Sequence, residues 1–297
     1  MSLLKTHPDL LQALSQEMTP KFLATRSADG IPNVVPVTSL MLSGDVEDRL
    51  IFGNFLLRKS VGNLDQDPRV GILVITPDLE GWMLQGDFQG WQQTGAYADR
   101  LNSTDLLRYN AYTGIRNAGI IQVRAVLRHF RIPKLRVLGD YLLARAAARL
   151  CPTVSEVEGA ITLPRPVRER FGQMMAVRVL AFLDGEGYPL TVPMLSLQPV
   201  GVGVKQVAPQ MATSASSQRA QQAAPLLVCA EGLAADLLES LPDGAPVAAS
   251  LLTFDVVSFQ AKGKWLGSRR FLGAPVGAMA VTSVYAGGPP IPGRRVA

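Results

Sequence analysis

The chain has 297 residues, 47% of them apolar and 18% charged, with a formal net charge of +5; this is enough apolar material for a packed core and too little charge for disorder. Two cysteines without a Cys-x-x-Cys pattern and two histidines, His7 and His129, argue against a disulfide framework, a structural zinc, an imidazole-built metal site and Ser-His-Asp hydrolysis. No run of about 18 apolar residues occurs, and the amphipathic start MSLLKTHPDLLQALSQEM reads as a helix rather than a signal peptide, so the expectation is a cytoplasmic protein with no membrane segment.

After that helix, the apolar run Phe22 to Ala24 leads through Asp29 into Gly30-Ile-Pro32-Asn-Val-Val-Pro36. This reads as strand, tight turn and strand, with prolines at edge positions. Leu50 to Phe52 is the next strand, and Gly53-Asn54-Phe55 carries it into a short helix that starts near Arg58-Lys59-Ser60 and stops at Pro68. Val70 to Ile75 resumes as a buried strand. Free N–H groups at a helix start, joined by two side-chain cations, suit a phosphate. The same Arg-Lys pair also reads as an ordinary solvated helix face.

Between Tyr97 and Gly119 the chain is longer than a hairpin connection; with Tyr109, Tyr112 and Arg116 it reads either as a cover over a ligand or as a surface helix. Ile120 to Phe130 suits a strand with an outward charged face, and Lys134 to Leu150 an amphipathic helix with leucines on one side. The basic residues Arg124, Arg128, Arg131, Lys134, Arg136, Arg145 and Arg149 fall in this segment. Few aromatic residues interleave with them, so a solvated face and an interdomain helix are preferred to a nucleic-acid groove. Pro152, Pro164 and Pro166 mark 151–170 as a linker, dividing the chain into domains 1–150 and 171–297.

The second domain repeats the grammar of the first. Val179 to Leu183 leads through Glu186 into Gly187-Tyr-Pro189-Leu-Thr-Val-Pro193, with the two motifs 157 residues apart. Leu226 to Val228 is the matching strand, and Gln206 to Ala224 reads as an insertion. Ala234-Ala235-Asp236 stands where the first copy has Arg58-Lys59-Ser60, and Pro246-Val247 matches the re-entry at Pro68. An aspartate there repels a phosphate, so only the first copy is suited to an anionic ligand.

The runs TRSADGIPNVVPVTSL, RLIFGNFLLRKSVGNLDQDPRVGILVI and GWQQTGAYADRL, together spanning roughly residues 20 to 100, resemble the pyridoxamine 5′-phosphate oxidase-like, FMN-binding split β-barrel family. In the second half, TFDVVSFQAKG resembles the Gln-x-Lys-Gly strand of many such barrels. The resemblance implies a mainly β fold with flanking helices: two split β-barrel domains in one chain, forming an internal pseudo-dimer with one competent site. It implies FMN, with phosphate on Arg58, Lys59 and Ser60, the flavin along Val35, Pro36, Val37 and Thr38, and Asn54 and Phe55 leading into the helix. The Arg and Lys that the true oxidases carry around Val35 and Leu40 are missing, which puts that substrate in doubt.

Lys262, Lys264, Trp265, Arg269 and Arg270 are the candidate contributions from the second half; Lys262 and Lys264 also read as exposed strand positions. The implied activity is hydride transfer through flavin N5 to or from a small organic substrate, with a nicotinamide cofactor, NAD(P)H, binding only transiently because no Gly-x-Gly-x-x-Gly follows a strand. No catalytic side chain is singled out. A non-catalytic carrier or sensor of flavin, deazaflavin F420 or haem is the alternative, and association into a homodimer stays open.

Overall fold

The computed structural model describes residues 2–55, 57–104, 115, 117–150, 157–200, 226–288 and 292–297. The segment with Tyr109, Tyr112 and Arg116, the Gln206 to Ala224 insertion and Cys151 lie outside the described residues. In the first half, strands β1 (Lys21–Arg26), β2 (Pro32–Pro36), β3 (Met41–Leu42), β4 (Arg49–Gly53), β5 (Arg69–Ile75), β6 (Glu80–Gln92) and β7 (Ala118–Arg131) form one antiparallel sheet in the order β2-β1-β5-β6-β7-β4-β3. The second half has β8 (Val177–Leu183), β9 (Pro189–Pro193), β10 (Gln198–Pro199), β11 (Leu226–Ala230), β12 (Pro246–Leu252), β13 (Ser258–Phe271) and β14 (Ala274–Ala286). Their order, β10-β11-β14-β13-β12-β8-β9, is the same topology.

Register confirms the repeat residue by residue. Ala24 pairs with Val34 and Gly71, and its counterpart Ala181 pairs with Thr191 and Ala248. Both Gly-x-Pro turns need a left-handed glycine, Gly30 at φ +74° and Gly187 at φ +81°. A buried cation also recurs at matched positions: Lys21 donates to the Gln16 carbonyl at 2.7 Å, and Arg178 donates to the carbonyls of Gln173 and Leu195. Burial holds both below their ordinary range, Lys21 at about 8 and Arg178 at about 10.

The halves share one core, in which Phe22, Val34 and Leu73 of the first pack with Leu180, Val192 and Leu251 of the second. β2 lies against β12 and β13, and β9 lies reciprocally against β5 and β6. The second Gly-x-Pro turn is gripped by the first half: Arg26 donates to the Gly187 carbonyl at 3.0 Å and Arg69 to the Glu186 carbonyl at 2.7 Å, while Asp67 pairs with both arginines.

Six helices flank the sheets among the described residues: α1 (Pro8–Ser15), α2 (Arg58–Gln66), α3 (Ala96–Asn102), α4 (Lys134–Leu150), α5 (Arg165–Phe171) and α6 (Ala235–Glu239). Two differ from the sequence reading. In α4, Tyr141, Ala144, Ala147 and Ala148 are buried against β10 and β11, whereas Leu135, Leu138, Leu142 and Leu150 are exposed. The buried side is the alanine side, since small residues let a helix lie close to a sheet. From 151–170, read as a linker, α5 starts at Arg165 and sends Val167 and Phe171 into the shared core. None of these helices is long and apolar enough to cross a membrane.

Candidate cofactor site

Helix α2 is set by a short apolar stripe, Leu57, Val61 and Leu64, that packs into the first-half core. Asn63 donates to the Thr25 hydroxyl at 3.0 Å and fixes the helix on β1; the Asp67 N–H closes its last turn on the Asn63 carbonyl before Pro68 stops it. No side chain caps its start, so the N–H groups of the first turn have no side-chain acceptor. Arg58, Lys59 and Ser60 are that first turn.

The helix start opens on a cleft of about 240 Å³ between the halves. One wall is first-half: Val35, Pro36, Val37 and Thr38 on and after β2, then Phe55, Arg58, Lys59 and Ser60. The other is second-half: Leu252, Val256, Ser258, Gln260 and Tyr285. Gln260 ties the walls together through a 2.6 Å bond from its amide to the Val34 carbonyl. Ser39 accepts from the Gly53 N–H at 3.0 Å and holds the end of β4 at the cleft floor.

Eight of the residues singled out in the sequence thus line one cleft. Three do not. The Asn54 N–H donates to the Asn117 carbonyl at 2.8 Å, outside the lining. Trp265 is 1% exposed in the second-half core, where its ring abuts Gly277. Lys262 is half-buried one step along β13, on the same face as Gln260. Arg269 and Arg270 sit at the far, exposed end of the β13–β14 hairpin, and Lys264 is exposed.

Sequence reasoning missed Asn33, Ser258, Gln260 and Tyr285. Asn33 is fully buried; its amide donates to the Ser60 hydroxyl at 3.1 Å, and its Oδ1 has no partner among the described residues. The buried Ser258 hydroxyl, on the opposite wall, also has none among the described residues. Buried polar atoms without partners at a cleft wall are groups for a ligand to satisfy. Gln260 was within the quoted Gln-x-Lys-Gly strand, which was the one signal available for it.

The electrostatics are one-sided. The Lys59 ammonium lies 2.9 Å from the centre of the Tyr285 ring. Burial alone would raise the Tyr285 phenol; hydrogen bonding to Ser283 and Lys59 and the charges of Lys59 and Arg295 outweigh it and lower the group. Burial, with the Lys59 charge second, pulls Lys262 down to about 8. Among the described residues no Asp or Glu lines the cleft.

The matched position in the second half is filled differently. Helices α2 and α6 begin the same distance beyond β4 and β11, so Ala235, Asp236 and Leu237 stand at Arg58, Lys59 and Ser60, one residue on from the sequence alignment. Through the β5–β6–β7 and β12–β13–β14 registers, Leu73–Met83–Arg128 matches Ser250–Gln260–Tyr285. Arg128 and Asp236 form an ion pair, and Arg128 also donates to the Leu233 carbonyl at 2.9 Å. That second place is closed by its own charges.

No family model and no curated protein matches the chain. Solved structures of FMN-binding and pyridoxamine 5′-phosphate oxidase-like proteins do, each over about 40% of it. An FMN-binding protein from Syntrophomonas wolfei is 18% identical, with 44% of this chain and 88% of that chain covered and a TM-score of 0.36. An F420 reductase is 23% identical, covering 38% and 92%, with a TM-score of 0.30. The haem storage protein HutZ from Vibrio cholerae is 14% identical, covering 44% and 95%, with a TM-score of 0.32.

Proposed function

We propose that this cleft binds FMN and that the chain is an FMN-dependent oxidoreductase acting on a small organic substrate. The observation that carries the reading is the meeting, between two halves of one fold, of an uncapped helix start bearing Arg58 and Lys59 with two buried polar atoms that have no partner among the described residues, Asn33 Oδ1 on one wall and the Ser258 hydroxyl on the other. Arg58 and the first-turn N–H groups hold the phosphate, with helix dipole and side-chain charge acting together. Ser60 accepts from Asn33 and so keeps its own proton free to donate to the ligand. Asn33 Oδ1 accepts from the ligand, and Ser258 meets it from the other half. The Val35 to Thr38 segment and Phe55 supply an apolar, water-excluding wall.

Bound there, a flavin supplies hydride chemistry at its N5, a reaction that asks the protein for orientation and electrostatics more than for acid–base groups. A chain with two histidines, neither lining the cleft, is adequate for it. The same feature favours flavin or the phosphate-bearing deazaflavin over haem. NAD(P)H is the proposed transient reductant.

The test is the 300–550 nm absorbance of the purified protein and the mass of what heat releases. Flavin bands with an FMN mass are the expected result, and turnover with NAD(P)H and an acceptor then separates enzyme from carrier. A colourless protein that takes up neither FMN nor deazaflavin would sink the reading.

A further inference from the structure

Helix α4 leaves apolar side chains in water along its whole length. Leu135, Leu138, Leu142 and Leu150 are 83%, 43%, 54% and 71% exposed, while Tyr141, Ala144, Ala147 and Ala148 pack on β10 and β11. A single exposed leucine needs no explanation, but a contiguous apolar patch does. Leu135, Leu138 and Leu142 follow the i, i+3, i+7 spacing of one helix face, and Arg145 and Arg149 continue the same row. The outer side is therefore one ridge, leucine in its first half and arginine in its second, with Leu150 at its end.

The charge on this ridge has one sign. Asp140, the only acidic residue of α4, is half-buried and pairs with Arg136 at 3.7 Å, and Lys134 meets Asp78 at 3.9 Å. Arg145 donates to the Tyr141 hydroxyl at 3.1 Å; neither it nor Arg149 has a carboxylate partner among the described residues. The segment 201–225, which joins β10 to β11 in the chain, carries Lys205 and Arg219 and no acidic residue, so it supplies no anion to them.

A second copy of the chain suits the ridge badly. Antiparallel pairing sets leucine against arginine, and parallel pairing sets Arg145 and Arg149 against themselves. The ridge instead fits a surface that is apolar and anionic at once and that yields to a convex helix without a matching groove. We propose that the outer side of α4 docks on an anionic phospholipid bilayer. Leu135, Leu138 and Leu142 enter the boundary between headgroups and acyl chains, while Arg145 and Arg149 meet lipid phosphates with their stems along the apolar layer. With 17 residues and four cations, the helix lies on the membrane rather than across it. This surface is separate from the cleft and does not depend on what the cleft binds.

The full chain is sedimented with vesicles of phosphatidylcholine alone and of phosphatidylcholine mixed equally with phosphatidylglycerol, at low and at high salt. The expected result is binding to the anionic vesicles only, weakened by salt. Leu135→Glu with Leu142→Glu should lower the partition coefficient about tenfold or more. Arg145→Gln with Arg149→Gln should do the same, at roughly fivefold for each cation. These positions are exposed, so thermal melts of both variants should match wild type. Arg269→Gln with Arg270→Gln removes the same charge from the exposed β13–β14 hairpin and should leave partition within about twofold. Equal binding by wild type and the leucine variant means that net charge alone attracts the protein, and overturns the proposal; an equal loss in the hairpin variant also overturns it. A wild type that ignores anionic vesicles at low salt overturns it too. If that protein dimerises and the leucine variant does not, the ridge belongs to a second copy; if it stays monomeric, an acidic protein takes the place of the lipid.

Discussion

Lys59 lies over the ring of Tyr285, and the two matched positions in the other half hold Asp236 and Arg128 as an ion pair. One contact leaves a cation for a ligand to use; the other consumes it. The two halves share a topology and differ in charge at these matched helix starts.

Arg58→Ala with Lys59→Ala is expected to weaken flavin retention by tens- to thousands-fold, at about 1.5–3 kcal/mol for each charge-assisted bond lost. Asp236→Ala should leave retention unchanged and cost under about 1 kcal/mol, because a surface ion pair contributes little. Fluorescence titration with FMN and urea unfolding of both variants check the contrast.

The Asp67 carboxylate joins Arg26 at 3.1 Å and Arg69 at 2.7 Å, and these arginines hold the Glu186–Gly187 turn. Its hydrogen bond from Arg69, against a smaller opposing effect of burial, holds it below the usual carboxylate range. The folded value is the lower one, so this stabilisation is complete above the unfolded value near 4 and is lost as pH falls through the folded value. Asp67→Asn should remove about 1–3 kcal/mol at pH 7. As pH falls below the unfolded value, about 4, and through the lower folded one, the gap to wild type should narrow, as thermal melts across pH will show.

Gly71 faces the other half so closely that an added Cβ would lie 2.0 Å from the Pro189 carbonyl oxygen. Backbone cannot yield as a side chain can. Gly71→Ala should therefore destabilise by about 1–3 kcal/mol and loosen flavin binding, because β5 and β9 must separate. Melting temperature and flavin retention, measured on the same preparation, should fall together; a stable variant with normal retention would contradict the packing account.

Trp265→Phe separates core from cleft. The indole is buried against Gly277 and is not among the residues that line the cleft, so the variant should melt lower yet retain flavin at 20 °C within about twofold.

The repeated Gly-x-Pro turns, the helix start at Arg58 and the strands around them were legible because each rests on local rules: positive φ at a turn, a proline stop, β-branched runs. The buried side of α4 was not, since leucines point to a core by composition while the sheet beneath it admits alanines. Asn33 and Ser258 were equally hidden. Their role depends on two walls contributed by residues more than two hundred positions apart, and no local pattern encodes such a meeting. Trp265 was misplaced for a related reason: it lies three residues beyond Lys262 on β13, and alternation turns it to the opposite face.

The fusion of two copies into one chain has a consequence for how the site can change. In a dimer of identical subunits every substitution is made twice, so an improvement on one side of the interface must be tolerated on the other. Here position 59 and position 236 are inherited separately, and the Arg128–Asp236 pair can act as a permanent brace while the residues around Lys59 vary with the ligand. The helix start at Asp236 is thereby released from binding and free to serve as scaffold.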